Sequence, residues 1–431
     1  MSSSGATYLP DLMDKKREKA IMGALQRLYE NRDYLKHLWP AAYDISRRTS
    51  NNIPLDEVDV VVLPLDRVGA PTGASGASVF VVYFTQRSCA SVDQILASPP
   101  LVVKTGALGK LEAEMSFSEG WPTLREDVKS RFAIPIALDE VDEEIAVLVA
   151  PFRSSFTPES DGKRLGVVLN DLWGLLHHQD EVRLLGLPES QSIARIVGNT
   201  LDAMDQVHRD NMAAYSRKSR TYEEAYKWYL RDTVANVDDG AGAPHRSHFP
   251  QQLFGDQPTV NRFGQDWPNP SCIARELMER RFEGVFGPVH GDLHPKNIVI
   301  GNDGAVQIID FGWARADVHV VVDYLLLDIN LRGTTLPSQV NEADIVEFAK
   351  FLTRNRNPDD LHQLLRPRAR IIRDEIWTRS SKVIKNWEDE YIIPFFLVAY
   401  GLLVYLDAAR NQPSLVASVL AAGQSIRESK R

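Results

Sequence analysis

The chain has 431 residues, enough for two or three structural units and a large core. Hydrophobic residues make up 44% and charged residues 25%, the balance of an ordinary globular protein rather than a disordered or fibrous one. A net charge of −9 excludes a nucleic-acid binder held by bulk electrostatics, so no nucleic-acid partner is expected. The two cysteines, Cys89 and Cys272, lie far apart without metal-ligand spacing, which fits free thiols in a reducing, cytoplasmic compartment. Met1 to Pro10 lacks the apolar core of a secretory signal. The longest uncharged run, Tyr391 to Leu406, is interrupted by Pro394 and Gly401 and reads as a buried core helix, so no membrane partner is expected.

In chain order, Asp11 to Leu38 has the spacing of an amphipathic helix with Ile21, Leu25, Leu28 and Leu35 on one face, and Pro40 ends it. Residues 1–56 are expected to form a helical extension, whose apolar face makes it a candidate homodimer element. From Val58 the period becomes that of strands, at Asp59–Leu63, Ser78–Phe84 and Leu101–Lys104. Between the first two lies Gly69–Ser78, rich in small residues and including Ser75, Gly76 and Ser78. Without bulky side chains, backbone N–H groups there can approach a polyphosphate closely, although the stretch also reads as a plain hairpin. No Gly-Lys-Ser/Thr follows it, and no dinucleotide fingerprint follows the first strand. Leu111 opens a helical segment carrying Glu112, Glu114 and Glu119. Phe132–Ile136 and Glu144–Val149 predict two further strands, then Ala150-Pro151-Phe152 and a linker over Ser154–Lys163.

The remainder reads as mostly helical. Ile193, Ile196, Val197, Leu201, Met204 and Val207 follow a 3.6 period, with His208 at the end as a packing or capping group. Thr233–Ser271 breaks the pattern with five prolines and is too long for a connector; a substrate lid and a disordered insertion are both open. Cys272–Phe282 predicts a helix, and segments near 338–355, 358–385 and 391–423 predict C-terminal helices. Arg366, Arg368, Arg370 and Arg373 form a small basic cluster, the usual mark of a solvated face.

The chemistry concentrates at Val289-His290-Gly291-Asp292-Leu293-His294-Pro295-Lys296-Asn297. A predicted hairpin follows (298–300, a turn at Asn302-Asp303-Gly304, then 306–309), ending at Asp310-Phe311-Gly312. Such a hairpin brings Asn297 and Asp310 together at its open end, beside Asp292. Two carboxylates and an amide suit magnesium and its phosphates, with one acid left to take a proton from an attacking hydroxyl. His290 and His294 stand four apart, but Gly291 and Pro295 argue against the helix a zinc pair needs, and no third ligand is evident.

On these residues the chain resembles the protein-kinase-like phosphotransferases, in particular the aminoglycoside and choline kinase branch. The match is His290-Gly291-Asp292, then Asn297 five positions after the acid, then Asp310-Phe311-Gly312 eighteen positions after it. The resemblance implies a two-lobed α+β fold. Its parts are the helical extension (1–56), an antiparallel-sheet nucleotide lobe (57–152) and a larger helical lobe (153–431) that carries the insertion near 233–271. It implies ATP and Mg2+ as cofactors, Asp292 as catalytic base, and Asn297 and Asp310 on the metal. Lys104 lies on the phosphates, paired with Glu114, while Glu112 and Glu119 remain open as its partner. Ser75, Gly76 and Ser78 belong to the phosphate loop, Ala150 and Phe152 to the adenine hinge, and His290 and Asp323 brace the catalytic loop.

Gly291 stands where many protein kinases have arginine, no Ala-Pro-Glu follows, and Asp323 comes only thirteen residues after Asp310. These features favour a small-molecule hydroxyl acceptor. Asp310-Phe311-Gly312, Ser75-Gly76-Ala77 and Val322-Asp323-Tyr324 are also similar to kinase-like domains of bacterial conflict systems, whose substrates include proteins. A protein kinase of that kind and a nucleotide-binding pseudokinase scaffold are the alternatives.

Overall fold

Val58–Pro64 (β1), Ser78–Gln86 (β2), Leu101–Gly106 (β3), Ala137–Glu140 (β4) and Ala146–Pro151 (β5) form an antiparallel sheet in the order β1-β2-β3-β5-β4. The computed structural model describes residues 15–31, 58–64, 78–86, 98, 100–120, 126–141, 145–152, 170–177, 189–230, 253–301, 304–333, 336–337, 339–352, 356–403 and 413–429. The chain divides into two units, Met1–Gly174 with Asn297–Ala314, and Leu175–Lys296 with Arg315–Arg431.

In the first unit, strand alternation sends successive side chains to opposite faces of the sheet. Val82, Phe84, Val103, Val147 and Val149 meet the helix α1 (Lys15–Glu30), which buries Ala20, Ile21, Ala24, Leu25, Leu28 and Tyr29 in the same cluster. Arg27 of α1 pairs with Asp139 of β4, and the Tyr29 ring lies 5.6 Å from that of Phe84. The face that suggested a dimer element is thus covered by the sheet of its own chain at Ile21, Leu25 and Leu28, while Leu35 lies outside the described residues. The register aligns Val79 with Lys104, Val81 with Val102, Val102 with Ala150 and Lys104 with Leu148, so these six share the other face.

The strand expected at Phe132–Ile136 forms instead at Ala137–Glu140. Pro135 has no N–H to give a ladder, so the pairing with β5 starts beyond it. Phe132 makes a single parallel bridge to Ile308, and the Ala133 N–H donates to the Ile308 carbonyl at 2.8 Å. The helix α2 (Leu108–Gly120) begins three residues before the expected Leu111. The hairpin pairs Ile298–Ile300 with Val306–Ile308, and Asn170–Asp171 adds a short third strand. Val299 and Ile309 pack with Ala133, Ala150 and Phe152.

The second unit holds a sheet that the sequence reading missed in part: Ser216–Thr221 (β6), Arg281–Val289 (β7) and Arg315–His319 (β8), in the order β8-β7-β6. The polar β6 carries no apolar alternation to announce it. The helix expected over Cys272–Phe282 stops at Leu277. Phe282, Gly284 and Phe286 are buried at every second position, which is strand periodicity, and Phe282 belongs to β7.

Helices α3 (Glu189–Asp210), α4 (Tyr222–Leu230), α5 (Val321–Gly333), α6 (Ile393–Leu402) and α7 (Pro413–Ser429) supply most of the rest of this unit's core. α6 is buried through nearly its whole length, and among the described residues no helix is long and apolar enough to cross a membrane. Of the proline-rich insertion, residues 259–262 pair with 265–268 in an ordered hairpin that buries Trp267 completely, while 231–252 lie outside the described residues. The described part is thus an ordered hairpin anchored by Trp267 rather than a disordered insertion, with residues 255–259 exposed. Of the basic cluster, Arg368 is buried and donates to the carbonyls of Leu331 and Leu176, while Arg370 is exposed, as expected of a solvated face, and pairs with Asp359.

Candidate active site

Lys104 is presented by β3 and Glu114 by α2, the element that follows it. The Lys104 ammonium donates to Glu114 Oε1 at 2.7 Å and Oε2 at 2.9 Å, and to Asp310 Oδ1 at 2.9 Å. Glu114 Oε1 also accepts the Phe311 N–H at 3.3 Å. Glu112 is exposed, and the Glu119 side chain lies outside the described residues. Burial works against the Lys104 charge, but the carboxylates of Asp310 and Glu114 outweigh it and hold the ammonium above its usual range. Burial pushes the Glu114 carboxyl up, against the pull of Lys104. The cluster opens on a pocket walled by Val79, Val102, Ala133, Leu148, Ala150 and Ile309, an apolar slot ending in one cation and two acids.

Asp310 holds φ at 69°, in the left-handed region that costs a non-glycine residue about 1–2 kcal/mol. The hairpin fixes its position: the Asn297 carbonyl accepts the Ile309 N–H at 3.0 Å, placing Asn297 directly across from the residue before Asp310. Asn297 is buried, and its Oδ1 accepts no hydrogen bond from a described residue. Among the described residues no group of three or more His, Cys, Asp or Glu side chains forms a metal cage. One carboxylate and one amide oxygen fit Mg2+ nonetheless, because that ion keeps waters and substrate phosphates as its other ligands.

One expectation for this unit changes. The N–H of Phe152 donates to the Pro100 carbonyl at 2.8 Å and its side chain is fully buried, so it has no donor for an adenine; ladder alternation turns that amide inward toward β3. Ala150 remains, as a wall of the pocket. Ser75 and Gly76 lie outside the described residues, and Ser78 is the first residue of β2.

In the second unit, β7 delivers the chain into the loop at His290. Gly291 turns it with φ 78°, which a side chain would oppose. Asp323, in the first turn of α5, accepts the His290 N–H at 3.0 Å and the Gly291 N–H at 2.8 Å, one on each carboxylate oxygen. Burial pushes its carboxyl up to about 7, and these two amides act in the opposite sense. The Tyr229 hydroxyl of α4 donates to the Gly291 carbonyl at 2.8 Å, and His290 Nδ1 accepts the Asp292 N–H at 3.3 Å. The turn is thus held at the His290, Gly291 and Asp292 amides and at the Gly291 carbonyl, while the Asp292 side chain remains 26% exposed. Tyr229 escaped the sequence reading because it lies 62 residues away from Gly291 and carries no motif. His208 is half-buried, its ring 4.9 Å from that of Tyr215, and takes no part.

The model of the family described as Ternary complex associated domain 9 (TCAD9) matches residues 123–403. The chain belongs to this family. The TCAD9 match takes in Asp292, Asn297, Asp310 and Asp323 and begins after Lys104 and Glu114. A candidate cyclin-dependent kinase F-2 of Oryza sativa subsp. japonica is 42% identical over 53 residues, 11% of this chain and 16% of that protein's length. Among solved structures, a spectinomycin phosphotransferase with ADP and spectinomycin aligns at 12% identity and TM-score 0.36, over 93% of this chain and 98% of that one. A glucosamine kinase aligns at 12% identity and TM-score 0.34, over 84% and 81%.

Proposed function

We propose that this TCAD9 chain is an ATP-dependent phosphotransferase of protein-kinase-like type, moving the γ-phosphoryl group to a hydroxyl of a small-molecule acceptor. The observation that carries the reading is the Lys104 ammonium held between Glu114 and Asp310 at the end of an apolar pocket. A planar base suits the pocket walls, and the fixed ammonium suits α- and β-phosphates. Asn297 and Asp310 are the residues that would hold Mg2+, which supplies charge neutralisation on the phosphates. Asp292 orients the acceptor hydroxyl and takes its proton, while Asp323 and Tyr229 keep its loop from moving.

The preference for a small acceptor rests on β8. The chain segment soon after Asp310 is committed to pairing with β7, and α5 begins at Val321, which leaves no free stretch there to dock a peptide. The test is Mg-ATP turnover by the full chain against hydroxylated metabolites and antibiotics, with a casein-type protein alongside. Asp292→Asn is expected to lower kcat by about 10²–10⁴ with ATP affinity and melting temperature retained. A stable variant with undiminished turnover removes Asp292 as the base, and transfer to the protein alone removes the small-molecule reading.

A further inference from the structure

We propose that His294 is a positioning residue for Asp292, donating from Nε2 to one carboxylate oxygen and leaving the other for the acceptor hydroxyl. The inference rests on the reading of Asp292 as the base. His294 Nε2 stands 3.5 Å from Asp292 Oδ2. Its other ring nitrogen, Nδ1, accepts the Lys296 N–H at 3.2 Å. A ring nitrogen that accepts from a backbone amide carries no proton, so the neutral imidazole holds its proton on Nε2, the atom facing the acid. The His294 N–H in turn donates to the Asp292 carbonyl at 2.8 Å, a tight turn that keeps both side chains on one side of the loop.

The two histidines of the loop therefore do different work. His290 is fully buried and holds the Asp292 amide, whereas His294 is 27% exposed and faces the Asp292 carboxylate. A separation of 3.5 Å is beyond the usual range of about 2.7–3.2 Å for a formed N–H···O bond, as is common for catalytic contacts that tighten only when substrate binds. A carboxylate with one oxygen engaged cannot spin freely, so its remaining lone pairs stay aimed at one place. Protonation of His294 has two effects: Nδ1–H opposes the Lys296 N–H, and the imidazolium makes Asp292 a weaker base. Among the described residues, the other charged or titratable groups around this loop are Tyr229 on α4, on which Asp323 of α5, Asp292 and Arg315 of β8 all act electrostatically, and His290 and Lys296 on the loop itself.

The first test needs no acceptor. In the full chain labelled with 15N-histidine, long-range proton–nitrogen spectra should show His294 as the Nε2–H tautomer at neutral pH. In Asp292→Asn, which lacks the anion, its titration should move to lower pH. An Nδ1–H tautomer, or a titration unchanged by Asp292→Asn, overturns the contact. The second test uses Mg-ATP turnover. His294→Leu should lower kcat about 10²-fold with ATP Kd unchanged, since a small misalignment of a base has that effect. His294→Gln, whose amide nitrogen replaces Nε2, should recover at least tenfold of the loss and flatten the acid limb of the pH profile. His294→Leu within twofold of wild type overturns the proposal. A wild-type chain that binds Mg-ATP without turning it over overturns the phosphotransferase reading, and with it the role assigned to His294, even where the spectra show the contact.

Discussion

Replacing Glu114 by Gln keeps the shape of the side chain and removes one of the two negative charges that pair with the Lys104 ammonium. At 2.7 Å and an effective dielectric near 20 the attraction is about 6 kcal/mol before the cost of burying both groups. Removing one partner of a buried pair typically costs about 3–5 kcal/mol, because the other charge is left uncompensated. Asp310 still holds the ammonium at 2.9 Å, so the expected loss is smaller, about 2–3 kcal/mol. That corresponds to a melting temperature lower by about 4–12 °C for a unit of this size. The assay is urea unfolding of wild type, Glu114→Gln, Lys104→Met and the double variant. The double variant should be more stable than the sum of the single losses by about 1–3 kcal/mol, since it buries no orphan charge. A Glu114→Gln variant within about 0.5 kcal/mol of wild type, together with an additive cycle, would refute the electrostatic account of the cluster.

Asp310→Asn should weaken Mg-ATP binding in calorimetry and abolish turnover; an unchanged affinity in magnesium removes Asp310 from the metal site. Leu25→Ala in α1 should destabilise the first unit by about 2–4 kcal/mol in urea unfolding, because the side chain is buried against the sheet, and a loss below about 1 kcal/mol would contradict that packing. Burial depresses the His208 imidazole to about 4, so its contribution is complete above the unfolded value near 6.5 and is lost as pH falls from there toward 4. His208→Phe should remove an acid slope of about 1.4 kcal/mol per pH unit in that window, and an unaltered slope would place the imidazole in solvent. Asp323, raised to about 7, has the opposite sign: its contribution is complete below about 3.8 and is lost as pH rises through 7, so it partly masks the histidine in wild type.

Much of the first unit was legible in the chain. Valine-rich runs of period 2 mark β1, β2, β3 and β5 because each strand has a buried face, and the Asn302-Asp303-Gly304 turn marks the hairpin before Asp310. The loop from His290 to Asn297 was legible for a different reason: its residue types and spacing are chemical rather than structural. β6 was not, since its outward polar side chains and basic stems leave no hydrophobic period to read. The Phe132–Ile136 run was misplaced because a local apolar pattern does not report that Pro135 denies the ladder a donor.

By itself the sequence determined that a lysine at the end of a valine strand precedes an acid-bearing helix, and that an acid, an amide and a second acid follow at fixed spacing. Which of Glu112, Glu114 and Glu119 meets Lys104 was decided only by the tertiary structure. α2 starts at Leu108, and that helical phase puts Glu114 beside the buried Leu111 side and turns Glu112 to water. The grip of Tyr229 on Gly291, and the packing of α1 on the sheet of its own chain, were likewise decided there. Local pattern states which face of an element is apolar or charged; what lies against that face is set by packing between segments far apart in the chain.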